Sequence, residues 1–253
     1  MRAAIAIVAI GEAYRRHHER VFMPSVRRYA DAHGYDLLLF DRHLAPPELQ
    51  HASTVSFTKL LIPLQDEVRK FDCLLLLDAD ILVNRQAPKF AEIELDGGIG
   101  VVDEWSQPSP DERAEYQRAN GWEVTATEYF ALAGFALQTR TVPNSGMFIC
   151  DPARHRDFFA GIAERHLEAY LGHPRGFHFE QSAFGYELQQ AGLARFLPAG
   201  WNRIWPLHRP PIGTAPTDRL RLFRHFLDIY RQSHFLHLAM GRDHDLAFLA
   251  RNR

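Results

Sequence analysis

The chain has 253 residues, 46% of them apolar and 24% charged, so it can bury a sizeable core without staples. Its 29 basic and 31 acidic residues give a net charge of −2, which excludes a chain built mainly to coat nucleic acid. Cys73 and Cys150 sit in apolar runs and make neither a disulfide framework nor a zinc site. No apolar run approaches the ~18 residues of a membrane span.

Ala3 to Ile10 is a continuous apolar run, the length of a strand buried on both faces. It reads as a first strand rather than a signal peptide, since no small-residue cleavage site follows. Phe22, Val26, Tyr29 and Ala30 then fall near helical spacing, and Gly34 stands where a C-cap belongs. Tyr35 to Phe40 is the second strand. Ser53 or Thr54 is placed to cap a helix carrying Phe57, Leu60, Leu61, Leu64 and Val68, kinked at Pro63. Cys73 to Leu77 and Ile99 to Val102 are further strands, with Ile81 to Val83 apolar between them. Glu104 to Val142 reads as variable loop with short helices. Gly146 to Cys150 is a strand, and Phe159 to Tyr170 marks a helix. Glu180 to Gln190 is a short helix ending at Gly192, Pro206 to Pro216 is irregular, and Phe235 to Ala239 is the last strand. Strands alternating with helices predict an α/β fold with a mainly parallel sheet.

The sharpest change of environment is Leu74-Leu75-Leu76-Leu77-Asp78-Ala79-Asp80. In open α/β sheets, ligands bind beyond the carboxyl ends of strands. Two Asp at i and i+2 of an extended segment project to one side, roughly 6.5 Å apart. A hard cation such as Mg²⁺ or Mn²⁺ fits between them. The plain alternative is a pair of turn residues. Asn144-Ser145-Gly146 offers hydrogen bonds to a sugar hydroxyl and a close backbone approach, or is simply a turn before a strand. Glu180-Gln181 opens a helix, where an acidic residue also serves as a cap. His237, alternating with apolar residues, is a third metal ligand or a core histidine, with His234 as its rival.

In this order the segments resemble the retaining glycosyltransferases of the GT-A fold, especially families 8 and 34 and their glycogenin-like relatives. Leu77-Asp78-Ala79-Asp80 resembles the family's metal motif and Asn144-Ser145-Gly146 its Asn-x-Gly segment. Glu180-Gln181 is similar to the Asp-Gln pair, Leu197-Pro198 with Trp201-Asn202 to a Leu-Pro and aromatic-Asn segment, and Leu236-His237-Leu238-Ala239 to the late metal-binding His. Tyr14 falls where the family stacks a Tyr on the nucleotide base, and Lys59 matches a basic helix position. Gly11 replaces an acidic residue, and Arg242 stands in for a lysine after Gly241.

The resemblance implies one GT-A (Rossmann-like) domain over 1–253, with a donor half over about 1–103 and acceptor and closing elements over about 104–253. It implies a nucleotide-diphosphate sugar donor, UDP-linked, and a hydroxyl acceptor on a glycan or lipid. Asp78, Asp80 and His237 would hold Mn²⁺, or Mg²⁺. Ala9, Gly11, Tyr14, Lys59, Ala79, Ser145, Gly146, Gly241 and Arg242 would line the donor, and Glu180, Gln181 and Asn144 would lie at the reacting centre. Rival readings are a phosphatase of the haloacid dehalogenase type and an inert nucleotide-sugar binder. Between Arg195 and Arg231, seven Arg face two Asp, an excess of +5 that suits either a solvated face or a peripheral contact with an anionic membrane. The expected compartment is the cytoplasm.

Overall fold

The computed structural model describes residues 1–171, 180–211, 213, 215–241 and 243–251. The first apolar run forms β1 (Ala3–Val8). Helices α1 (Glu12–Val21) and α2 (Met23–His33) follow, and α2 stops at Gly34, whose φ of 71° gives the left-handed cap. Next comes β2 (Asp36–Phe40). The apolar series from Phe57 to Val68 is not one kinked helix. It is a four-residue α3 (Thr58–Leu61) among 3₁₀ turns, because Pro63 removes a helical donor and Gln65 returns to extended backbone. Thr54 does not cap it, since its hydroxyl donates to the Leu49 carbonyl at 2.6 Å.

The leucine run forms β3 (Cys73–Asp78), and β4 (Ile81–Val83) leaves for a second sheet. After β5 (Ile99–Asp103), the less regular region holds α4 (Pro110–Asn120) and α5 (Ala126–Leu132), the latter opened by a reciprocal Thr125–Glu128 capping box. Then come β6 (Pro143–Cys150), α6 (Arg156–His166), α7 (Gln181–Gln190) and β7 (Ala194–Leu197). The last part contains β8 (Arg203–Ile204), α8 (Trp205–His208), α9 (Pro216–Arg231), β9 (Phe235–His237) and α10 (His244–Ala250). Sequence pattern alone does not announce β7 or α9. In α9 the buried stripe Leu222, Phe226 and Tyr230 is interleaved with arginines.

Six strands form one sheet in the order β2-β1-β3-β6-β5-β7. The pairs β1–β2, β1–β3 and β5–β7 are parallel, whereas β6 runs antiparallel to both β3 and β5. The sheet is therefore mainly parallel. Alternation along the strands fills both faces. Ala4, Ala6, Leu74, Leu76 and Phe148 meet α6 and α7 through Phe159, Ile162, Phe184 and Leu188. Ile5, Ile7, Leu75, Leu77 and Ile149 meet α2 through Val26, Tyr29 and Ala30. At about 1.5–3 kcal/mol for each fully buried leucine, the run in β3 anchors Asp78 at its end. A second sheet, β4-β9-β8, sets His237 opposite Ile81.

Candidate active site

Asp78 is the last residue of β3, and Ala79 and Asp80 turn the chain toward β4. That turn is tied from both sides. The buried His18 ring donates through Nδ1 to the Ala79 carbonyl at 2.7 Å, and the Leu238 N–H donates to the Asp80 carbonyl at 3.0 Å. Both carboxylates converge on His237. Its Nε2 lies 3.3 Å from Asp80 Oδ1 and 3.8 Å from Asp78 Oδ2. Among the described residues, one ligand atom from each of Asp78, Asp80 and His237 falls within 4.8 Å of the others. The geometry thus puts His237 beside the carboxylates. His234 instead packs its ring 5.0 Å from Trp201.

Gly146 makes the imidazole's place. A Cβ there would stand 2.3 Å from His237 Cε1 and 2.7 Å from Nδ1. This close approach serves a side chain of the protein itself.

Electrostatics at the cluster call for a positive charge. Burial works against the His237 imidazolium, but Asp80 and then Asp78 raise its pKa above the ordinary value. Burial would raise Asp80, yet the charge and hydrogen bond of His237 hold it low. Asp78 is raised by burial despite Lys59 and the more distant His237. Two carboxylate oxygens and an imidazole nitrogen form a donor set that fits Mn²⁺ well and Mg²⁺ less well. His237 Nδ1 has no hydrogen-bond partner among the described residues, so it lacks the outer bond that metal-bound imidazoles usually make.

Lys59, on α3, bridges two acids. Its Nζ is 2.5 Å from Asp78 Oδ1 and 3.1 Å from Glu180 Oε1. Burial opposes its charge, but Asp78 and Glu180 together push its pKa up. Glu180 precedes α7 without capping it. Its Oε1 accepts from the Ser145 hydroxyl at 2.7 Å, so the capping alternative does not describe this residue.

Asn144, Ser145 and Gly146 are not a turn before a strand. They are buried within β6, at an irregularity. Val101 opposes Phe148 while Val102 opposes Asn144, so β6 bulges through the intervening residues and re-aims them. Asn144 Nδ2 donates to Glu104 Oε2 at 2.8 Å and to Gln181 Oε1 at 3.0 Å. Gln181 Nε2 donates to the same Glu104 oxygen at 2.9 Å and to the Tyr129 hydroxyl at 3.2 Å. Arg113, from α4, closes the set with Nη2 at 2.5 Å from Glu104 Oε1 and its guanidinium 4.3 Å from the Trp105 ring centre. Burial would raise Glu104, but Arg113, Asn144 and Gln181 hold its pKa below the usual range.

These groups share a cavity of about 810 Å³. Its lining includes Val8, Ile10, Tyr14, Val55, Ser56, Lys59 and the metal-type cluster, together with Trp105, Arg113, Tyr116, Gln117, Trp122, Tyr129, Pro206 and Leu207. Burial pushes the Tyr14 hydroxyl up, and Asp80 and Asp78 add to this. Ala79 also lines the cavity, whereas Ala9 is fully buried in the core between the lining residues Val8 and Ile10. Gly11, with φ of 92°, precedes α1, and Gly241, with φ of 67°, follows β9; neither lines the cavity. Arg242 lies outside the described residues.

Glu104, Arg113 and Tyr129 escape the sequence reading. One signal was available: Val101-Val102-Asp103-Glu104 is, like the leucine run, an apolar strand running into two acids. The local arginine excess is met only in part within the structure, since Asp218 and Asp228 are already in the count and Asp243 adds one charge shared by two arginines. Arg209 and Arg219 pair with Asp243, Arg221 with Asp218, and Arg231 with Asp228. No helix among the described residues is long and apolar enough to cross a membrane.

The fold is that of the GT-A glycosyltransferases. Among similar solved structures is the galactosyltransferase LgtC in complex with donor and acceptor sugar analogues, at 13% identity and TM-score 0.58, covering 96% of this chain and 95% of that one. A glycosyltransferase involved in glycosylation of the major capsid of PBCV-1 matches at 14% identity and TM-score 0.54, over 98% of both chains. The bifunctional glycosyltransferase WbbM matches at 16% identity and TM-score 0.59, over 94% of this chain, which spans 46% of WbbM. No family model and no curated protein matches.

Proposed function

We propose that the chain is a metal-dependent, retaining glycosyltransferase. It would move a hexose from a nucleotide-diphosphate sugar, UDP-linked, to a hydroxyl of a glycan or glycolipid. The observation that carries this reading is the Asp78–Asp80–His237 cluster opening into the same cavity as Lys59, Asn144, Glu180 and Gln181. The order of the motifs, which resembles families 8 and 34, supports retention and a UDP donor.

A divalent cation held by Asp78, Asp80 and His237 would act as a Lewis acid toward the departing diphosphate. Lys59 would add a second positive charge there, already desolvated and therefore strong in its field. Tyr14, at the rim on α1, offers its ring to the base. Asn144 and Gln181 would bind sugar hydroxyls, and Glu180, fixed by Lys59 and Ser145, would set negative charge near the oxocarbenium-like centre. The aromatic wall of Trp105, Tyr116 and Trp122 suits the apolar face of a sugar acceptor.

The test is a panel of UDP- and GDP-sugars, incubated with Mn²⁺ or EDTA, with release of free nucleotide as the readout. Mn²⁺-dependent release from one donor, abolished in Asp80→Ala, is expected. Binding without release would mark an inert sugar-nucleotide binder. Absence of both release and Mn²⁺-dependent UDP binding would overturn the reading.

A further inference from the structure

A buried ion pair in the wall of the cavity, Glu104 with Arg113, stands outside the Asp78–Asp80–His237 cluster. We propose that Glu104 is a positioning residue: its carboxylate fixes the orientation of the Asn144 and Gln181 side-chain amides, and Arg113 keeps that carboxylate ionised. The proposal rests on the transferase reading for its catalytic consequence, though not for its geometry.

An ionised carboxylate only accepts hydrogen bonds. Glu104 Oε2 accepts from Asn144 Nδ2 at 2.8 Å and from Gln181 Nε2 at 2.9 Å, so both NH₂ groups must face it. Both carbonyl oxygens are thereby turned to the bulge. Asn144 Oδ1 accepts from the Gly146 N–H at 2.9 Å and from Asn202 Nδ2 at 2.7 Å, and Gln181 Oε1 accepts from the Ser145 N–H at 3.1 Å. One negative charge therefore sets the two amides and, through them, the backbone of Ser145 and Gly146. Ser145 holds Glu180, and Gly146 abuts His237. Flipping either amide would face its oxygen toward the carboxylate.

Arg113 is the positive group facing Glu104, and its side chain is only 6% exposed beneath Trp105. The other titratable neighbours are Asp103, next in the chain, and Tyr129, whose hydroxyl shares Gln181 Nε2. With its pKa held low, Glu104 is a weak base, which argues for positioning over proton transfer.

The experiment compares wild type, Glu104→Gln and Arg113→Met from about pH 5 to about pH 9, a span over which an unpaired buried carboxyl would titrate. Two readouts are taken: nucleotide release at saturating donor and Mn²⁺, and the side-chain NH₂ resonances of Asn144 and Gln181. Glu104→Gln removes the charge and keeps one acceptor, so its NH₂ must meet either the two amide NH₂ groups or the Arg113 guanidinium, and it is expected to lose about tenfold or more in kcat, at every pH. Arg113→Met leaves a buried carboxyl without its counter-ion. Its activity relative to wild type is expected to climb with pH, from about a tenfold deficit to near parity. Its two NH₂ resonances are expected to shift with pH, while those of wild type do not.

A flat ratio for Arg113→Met with unmoved resonances, or Glu104→Gln within about twofold of wild-type kcat, overturns the proposal. Should Arg113→Met not fold, Glu104→Gln decides alone, by its kcat and by whether the Asn144 and Gln181 NH₂ resonances keep their wild-type positions. If wild type releases nucleotide from no donor, the transferase reading falls, and the resonances still decide whether Glu104 orders the amides.

Discussion

Gly146→Ala tests the metal-type cluster without replacing any of its three side chains. The added Cβ would lie 2.3 Å from His237 Cε1, 2.7 Å from Nδ1 and 2.9 Å from Asn144 Oδ1. Ordinary contact begins at 3.4 Å, so the imidazole must retreat by about 1.1 Å. It has little room, because His237 is 5% exposed and its strand is locked against β4 on one side and β8 on the other. Metal–ligand distances tolerate only about 0.2 Å. The variant is therefore expected to lose at least the affinity that removal of an outer partner costs, about 10–100-fold for Mn²⁺. The overpacking itself costs about 1–3 kcal/mol of stability. Calorimetric titration of Mn²⁺ with UDP present reads the first effect and urea unfolding the second. Gly185→Ala is the control: its Cβ would meet Phe130 at 3.2 Å and Pro143 at 3.3 Å, away from the three ligand side chains, so it is expected to leave Mn²⁺ affinity unchanged whatever it does to stability. A folded Gly146→Ala that binds Mn²⁺ as tightly as wild type would refute the argument that His237 is a ligand.

Two further outcomes are expected. Burial, then the charge of Arg203, lowers the His208 pKa to about 4 from 6.5. Above the ordinary value the ring is neutral folded and unfolded, and His208 adds nothing to the pH dependence. As pH falls below it, the unfolded chain takes up a proton that the fold refuses, so stability is lost progressively down to about pH 4. The gap is worth up to about 3 kcal/mol, and partial solvent screening brings it nearer ~2. Urea unfolding of His208→Leu and wild type at about pH 7.5 and about pH 5 checks this, and identical slopes with pH would contradict it. In the aromatic wall, Trp122→Leu is expected to raise the KM for sugar acceptors by about tenfold, from the loss of stacking. Steady-state rates with methyl glycosides of glucose, galactose and mannose check it, and an unchanged KM for every stimulating glycoside would remove Trp122 from the acceptor side.

The parts of the fold legible in the sequence are those whose cause is local. The leucine run needs only its own composition to be a buried strand, and Gly34 only its missing Cβ to end α2. The failures are places where a local pattern is diluted or broken. Arginines mask the apolar stripe of α9, and Pro63 cuts the apolar series of Phe57 to Val68 into short turns. The site divides in the same way. Asp78, Asp80 and His237 stand out because charge abuts apolar strand. Glu104 carries the same signal, yet its partners come from α4, β6 and α7 and nothing near it in sequence marks them.

The direction of β6 explains why these pieces meet. It lies between β3 and β5 and runs antiparallel to both. Its first residues therefore sit beside the carboxyl ends of its two neighbours. Asp78 ends β3, Glu104 follows β5, and Asn144 to Gly146 occupy the start of β6, so the reversal brings two acids and the Asn144 amide together from three separate segments, and α7 adds Gln181. The bulge at Val101 and Val102 then turns the start of β6 toward Glu104, Gln181 and His237. Had β6 been parallel, its carboxyl end, Ile149-Cys150, would stand there instead, and the cavity would lose Asn144, Ser145 and Gly146 and keep only the Gln181 amide of α7 beside its acids. An apolar run reads the same in either direction, so strand polarity, the one fact that builds this site, is the fact a sequence pattern does not carry.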